Sequence, residues 1–211
     1  EWEPHAGTWL SWPHNRDTWP GKFEPVEPAY ARMVAALAAC EPVHINVLDG
    51  GHAKHVTGLL QAAGVTANVH LHEFPTNDAW CRDHGATFVV RDAALGAPVA
   101  AIDCEHNAWG GKYPPYDLDN RIPACMAAFL GVPRYVGGLV LEGGSIDVNG
   151  VGAMLTTEQC LLNPNRNPSL SRADIEARLR GLFGVDRILW LGDGIVGDDT
   201  DGHVDDLTRF V

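Results

Sequence analysis

The stretch PRYVGGLVLEGGS (133–145) reads as a strand that ends on a carboxylate. Its apolar run Leu139–Val140–Leu141 delivers Glu142, after which Gly143 and Gly144 let the backbone bend sharply. Upstream, RIPACMAAFLG (121–131) reads as a short helix. Downstream, SIDVNGVGAMLTT (145–157) reads as a hairpin turning at Asn149 and Gly150, a pair suited to a tight turn. A helix therefore feeds a strand, and the strand presents an acid.

The same order recurs on both sides. VEPAYARMVAALAA (26–39) has helical apolar spacing and precedes the strand-like PVHINVL (42–48). GHAKHVTGLLQAAG (51–64) is a second helix ending at Gly64, and the strand ANVHLHEF (67–74) then delivers TNDAWCRD (76–83). TFVVR (87–91) and PVAAID (98–103) read as two further strands, and the polar, Pro-rich NAWGGKYPPYDLDN (107–120) as a loop. A third helix begins at Ser171, with Asp174 as a partial capping box, and runs through DIEARLRGLFG (174–184). RILWL (187–191) follows as a strand and leads into GDDTDGHVDD (197–206).

Asp83 and Glu142 are 59 positions apart, and Glu142 and His203 are 61 apart. A period so nearly constant suggests modules around a common axis whose strand ends converge on one pocket. Plain βα alternation is the competing explanation of the spacing. No GxGxxG opens a helix, so there is no dinucleotide fingerprint.

With 211 residues, 45% hydrophobic and 20% charged, the chain is expected to form one α/β domain spanning 1–211. A formal charge of −12 repels nucleic acid and attracts small cations. Lacking any apolar run near the roughly 18 residues that span a bilayer, and lacking a leader pattern in EWEPHAGTW, the protein is expected to be soluble and cytoplasmic. Cys40, Cys81, Cys104, Cys125 and Cys160 form no CxxC pattern and read as reduced thiols. Oligomeric state leaves no signal.

The acidic clusters suit a planar cation, whose donor fork carboxylates can clamp from several sides. In WCRD, Trp80 offers an aromatic face and Asp83 a carboxylate. Asp78 and Asp83 have turn capping as their other reading, the usual one for an isolated Asp, with Arg82 paired to a neighbouring acid. Glu142, if buried, calls for a histidine held as imidazolium with a raised pKa; its other reading is a solvent-exposed strand end. His203 and Asp205 share a side in an extended stretch, histidine for proton transfer and carboxylate for clamping. Asp198, Asp199, Asp201, His203 and Asp205 could instead ligate a metal, but Gly197 stands where an EF-hand needs its first Asp and no Glu closes the loop. His70 and His72 share a strand face.

On EWEPHAGTWLSWP (1–13), TNDAWCRDHG (76–85), NAWGGKY (107–113), LEGGSIDVNG (141–150) and DTDGHVDDLTRF (199–210), in that order, the chain resembles the agmatine deiminase and bacterial peptidylarginine deiminase family of guanidine-modifying enzymes. The resemblance implies a pentein-type α/β propeller of ββαβ modules with pseudo-fivefold symmetry, of which about three and a half would be present. It implies that Asp83 and Asp205 hold guanidinium nitrogens, that His203 is the general acid and base, and that Glu142 supports pocket and histidine. Trp80, Asn77 and Trp109 would shape the substrate channel, with no metal and no cofactor.

The implied reaction converts agmatine to N-carbamoylputrescine and ammonia, a step of putrescine biosynthesis, with peptidylarginine or free arginine as the next substrates. A cysteine thiolate attacks and a thiouronium intermediate is hydrolysed. The family's nucleophile lies in a glycine-rich segment near the C-terminus, a context none of the five cysteines matches. The chain is thus expected to be a C-terminally incomplete domain, poorly soluble by itself because its strand edges are open. A catalytically dead guanidinium-binding module and a metal-dependent hydrolase are the alternatives.

Overall fold

The computed structural model describes residues 4–91 and 99–211; the first three residues of the EWEPHAGTWLSWP motif and Pro98 of PVAAID lie outside them. The chain falls into two compact units, one ending at Cys81 and including Asp117–Asp119, the other comprising Arg82–Tyr116 and Asn120–Val211.

In the first unit, β1 (Thr8–Ser11), α1 (Val26–Ala38), β2 (Val43–Asn46), α2 (Gly50–Ala62) and β3 (Val69–His72) alternate. They form a three-stranded sheet in the order β1-β2-β3. Both pairings are parallel, with Leu10 opposite Ile45 and Ile45 opposite Leu71. Parallel strands require crossovers, which the two helices supply. Ala31, Val34 and Ala38 fall at helical spacing on α1, as do Val56 and Leu60 on α2, and all bury against Val43, Ile45, Val47 and Trp12. Fully burying one such Ile or Leu is worth about 1.5–3 kcal/mol. Asp49 caps α2 by accepting from the His52 N–H at 2.8 Å. On the histidine-bearing face, Trp9 stacks on His44 and His72, each at 4.9 Å, and the two imidazoles meet at 2.9 Å.

The TNDAW segment of this unit is held by Asp119. Its Oδ1 accepts the Asn77 N–H at 2.7 Å, while Asn77 Oδ1 accepts the Leu118 and Asp119 N–H groups at 2.8 and 3.2 Å. Trp80 stacks on Trp19 at 5.8 Å.

The second unit runs through α3 (Cys81–His84), whose first residue belongs to the other unit, then β4 (Thr87–Val90), β5 (Val99–Glu105), α4 (Ala108–Gly111), α5 (Ile122–Leu130) and β6 (Arg134–Val140). It continues through β7 (Asp147–Val148), β8 (Ala153–Thr157), α6 (Glu158–Leu161), α7 (Arg172–Phe183) and β9 (Arg187–Leu191). β4 pairs antiparallel with β5, and β5 parallel with β6; β7 pairs antiparallel with β8, and β8 parallel with β9. Each sheet thus follows strand, strand, helix, strand, whereas the first unit's sheet is all parallel. Leu139 of β6, with Leu141, packs into the same core as Met154, Leu161, Ile175 and Leu179. Ser171 and Asp174 complete the capping box of α7.

Two local expectations change. The hairpin does not turn on a two-residue loop: Asn149 Oδ1 accepts from Val151 and Ala153 N–H, so the turn spans the residues between β7 and β8. NAWGG is an ordered turn rather than open loop, with φ of +51, +55, +90 and +77° at Ala108, Trp109, Gly110 and Gly111.

Candidate active site

The second unit gathers Asp83, Trp109, Glu142, His203 and Asp205. Their meeting point is Gly144, where an added Cβ would lie 2.6 Å from His203 Nδ1, 2.7 Å from Asp83 Oδ1 and 2.8 Å from Asp205 Oδ2. At Gly143 a Cβ would stand 2.0 Å from the Arg82 carbonyl oxygen. The two glycines after Glu142 are therefore needed for close approach rather than for bending alone. Gly144 N–H donates to Asp83 Oδ1 at 3.0 Å, and its carbonyl accepts the Asp205 N–H at 3.3 Å.

His203 Nδ1 lies 3.7 Å from Asp83 Oδ1 and 3.9 Å from Asp205 Oδ1. Asp83 is fixed on its other oxygen by the Trp109 indole N–H at 3.1 Å. The left-handed turn aims this indole, and Gly110 packs where a Cβ would collide with the Asn165 side chain at 2.3 Å. Asp198 orders the His203 segment by accepting from the Thr200, Gly202 and His203 N–H groups. Arg82 Nε reaches Asp205 at 3.9 Å.

Glu142 is fully buried, and its partner is an arginine. Arg166 Nε donates to Glu142 Oε1 at 2.7 Å, its Nη1 to Asp201 Oδ2 and Asn165 Oδ1, each at 2.8 Å, and its Nη2 to the Thr200 carbonyl at 2.8 Å. Lys112 Nζ adds a bond to Asp201 Oδ1 at 2.6 Å. A buried ion pair offsets its desolvation only with further hydrogen bonds; here all three guanidinium nitrogens have acceptors, while Glu142 Oε2 does not have a donor.

Charge in the site is short of cations. Burial, reinforced by Glu142 and Asp205, pushes Asp83 up to about 7 despite its two hydrogen bonds. Burial also raises Glu142, against the pull of Arg166, and raises Asp205 together with Asp206. Burial alone would raise Asp201, but hydrogen bonds from Lys112, Asn165 and Arg166 hold it down at about 2. His203 is lowered to about 4 by burial and then by Arg166. The imidazolium expected beside Glu142 is thus not favoured, because burial disfavours its charge first and the Arg166 guanidinium second. Glu142 Oε2 and His203 Nε2 are buried without hydrogen-bond partners.

One Glu142 oxygen, the Cys160 thiol and one His203 nitrogen lie within 4.8 Å of one another. These are donor types that zinc takes, but Glu142 is already bonded to Arg166, whose fixed charge would repel a divalent ion there. The carboxylates of the other metal reading are engaged by protein donors: Asp198 by backbone N–H groups, Asp199 by the Tyr113 hydroxyl, and Asp201 by Lys112, Asn165 and Arg166.

Asn77 and Trp80 belong to the first unit, where Asn77 uses its amide oxygen to hold residues 118–119. Arg166, Asn165 and Lys112 escaped the sequence reading. Lys112 stands inside the quoted NAWGGKY without being singled out, and the only signal for Asn165 and Arg166 was the polar, Pro-bracketed NPNRNP (163–168), a composition that reads as solvated loop.

The geometry describes an α/β unit with a buried, acid-rich site around one histidine. A family model described as Porphyromonas-type peptidyl-arginine deiminase matches residues 1–211, and the chain belongs to that family. An agmatine deiminase of Ectopseudomonas mendocina is 40% identical over 216 residues, covering all of this chain and 56% of the relative. Agmatine deiminase of Enterococcus faecalis superposes with a TM-score of 0.89 at 36% identity, over 99% of this chain and 56% of its own. A cysteine-to-serine variant of agmatine deiminase from C. jejuni, solved with substrate bound, gives a TM-score of 0.83 at 33% identity, over 98% and 59%. The chain thus spans a little over half the length of these relatives. No helix among the described residues is long and apolar enough to cross a membrane.

Proposed function

We propose that residues 1–211 supply the guanidinium-binding cage of a hydrolase that deiminates a guanidino group, with agmatine as the first substrate and peptidylarginine or arginine next. The observation that carries this reading is the pair of carboxylates, buried Asp83 and solvent-facing Asp205, flanking the buried His203 Nδ1 at 3.7 and 3.9 Å in a site short of positive charge. The agmatine deiminases at 33–40% identity support it. We read the three sheets as successive modules of a pentein propeller, supported by the shared strand order of the second and third. A single 1–211 domain is part of the same reading.

In this mechanism the guanidinium lies between Asp83 and Asp205 and brings Asp83 to its ionised form. A cysteine from outside residues 1–211 is the nucleophile; the C. jejuni agmatine deiminase solved with its substrate carries a serine in place of a cysteine. His203 takes the thiol proton as sulfur bonds to the guanidinium carbon, then gives it to the nitrogen that leaves as ammonia. Water attacks the resulting thiouronium, His203 takes its proton, the C–S bond breaks, and a ureido product departs. Glu142 Oε2 and His203 Nε2, buried and unpartnered, are positions where substrate N–H groups or this water would be satisfied. Trp109 acts through Asp83; a channel role for Trp80 and Asn77 rests on the family resemblance alone.

The test is ammonia release from agmatine by the full chain. His203→Ala is expected to remove turnover while circular dichroism and melting stay near the wild type; retained turnover would refute the role of His203.

A further inference from the structure

Arg166 plays no part in the steps above, yet its side chain is completely enclosed beside the reacting groups. Its guanidinium joins two pieces of chain that must keep register. Nε binds Glu142 at the end of β6, while Nη1 and Nη2 bind Asp201 and the Thr200 carbonyl, just before His203. A planar fork with fixed donor directions can span these acceptors at once, which a point charge on a flexible stem cannot.

Arg166 also decides what charge His203 meets. The groups facing the imidazole are Arg82 and Asp83 on α3, His106 after β5, Glu142 after β6, Cys160 on α6, and Asp198 and Asp205 on its own segment. Without Arg166, its guanidinium no longer opposes an imidazolium beside it, and a proton on His203 would be favoured. With Arg166 in place, burial and the guanidinium act in the same direction on the histidine.

We propose that Arg166 is a positioning residue acting through Glu142 and His203: it ties the His203 segment to the end of β6 and keeps the imidazole neutral and ready to accept the nucleophile's proton. The kinetic consequence rests on the deiminase reading; the effect on the histidine does not.

The experiment follows the His203 ring signals by NMR in histidine-labelled full chain, assigned with His203→Gln, in the wild type, Arg166→Gln and Arg166→Lys. Arg166→Gln removes the charge, and the His203 midpoint is expected to rise by roughly one unit or more, a tenfold change in proton affinity. The acidic limb of kcat/KM for agmatine moves to higher pH with it. Arg166→Lys keeps the charge but not the fork, so the midpoint stays near the wild type while kcat falls by roughly tenfold or more. An unmoved midpoint in a folded Arg166→Gln protein overturns the proposal. If Arg166→Gln does not fold, Arg166→Lys decides: wild-type kcat, or a midpoint raised as far as a unit, overturns it. A wild-type full chain that releases no ammonia from agmatine would remove the deiminase reading while leaving the His203 titration to stand or fall by itself.

Discussion

Asp83 is held by the Gly144 N–H and the Trp109 indole, and still its carboxyl sits near 7 because it is buried beside Glu142 and Asp205. A guanidinium needs the ionised form, so below that value binding must first expel a proton. The affinity for agmatine should therefore rise by roughly tenfold per pH unit from about 5 to 7 and level off above, with proton release on binding in the acid range. Calorimetry in buffers of different ionisation enthalpy measures both. Binding that is flat across that range would mean that Asp83 is already ionised before the ligand arrives. Asp83→Asn should lose this dependence along with most of the affinity.

The turn α4 winds in the hand that L-residues avoid, at a cost on the order of 1–2 kcal/mol for each non-glycine residue in it. Glycine at two of its four positions limits that cost, and at Gly110 the Asn165 side chain leaves no room for a Cβ. Gly110→Ala should destabilise the protein by about 2–4 kcal/mol, read from denaturant melts, and should weaken agmatine binding because the indole no longer aims at Asp83. A wild-type melt would contradict this account of the turn. The longer helices and most strands were legible in the sequence, since Ala31, Val34 and Ala38, or Val43 and Ile45, keep the periodicity their burial demands, whereas the four-residue β1, α3 and α6 are too short to show one. Glu142 drew notice by standing at a strand end before two glycines, and His203 by its spacing of two from Asp205; one oxygen of the first and one nitrogen of the second come within 4.8 Å. NAWGG was not, because local rules for L-residues contain no left-handed helix. Arg166 was not, because only tertiary folding turns the polar NPNRNP inward onto Glu142.

Across the molecule, buried histidines and buried acids oppose one another in acid. His72, His106 and His203 are lowered to about 4, each by burial first. Unfolding lets them take up protons, so their contribution is lost as pH falls from about 6.5 to 4. Asp83 and Asp119 are raised to about 7, again by burial first. Folded, they hold protons that the unfolded chain releases, so their contribution is lost as pH rises from about 4 to 7. The wild type should therefore show a shallow rise in stability between pH 4 and 6.5. In Asp119→Asn, where the amide oxygen can still accept from Asn77, one opposing group is gone and the rise should steepen by about one proton, or roughly 1.4 kcal/mol per pH unit. Urea titrations at several pH values measure the slope, and an unchanged slope would place the Asp119 titration outside this window.

The enclosure of Arg166 bears on how such a protein spares itself. Its interior holds a guanidinium of its own, the very functional group we propose it consumes, gripped by Glu142 and Asp201 in the same charged region. Recognition of charge cannot tell the two apart. What separates them is access: the resident group has its three nitrogens committed to protein acceptors and no solvent-facing surface, so no thiolate can approach its central carbon. Immunity here is a matter of packing, and a mutation that loosened that packing would turn a structural arginine into prey.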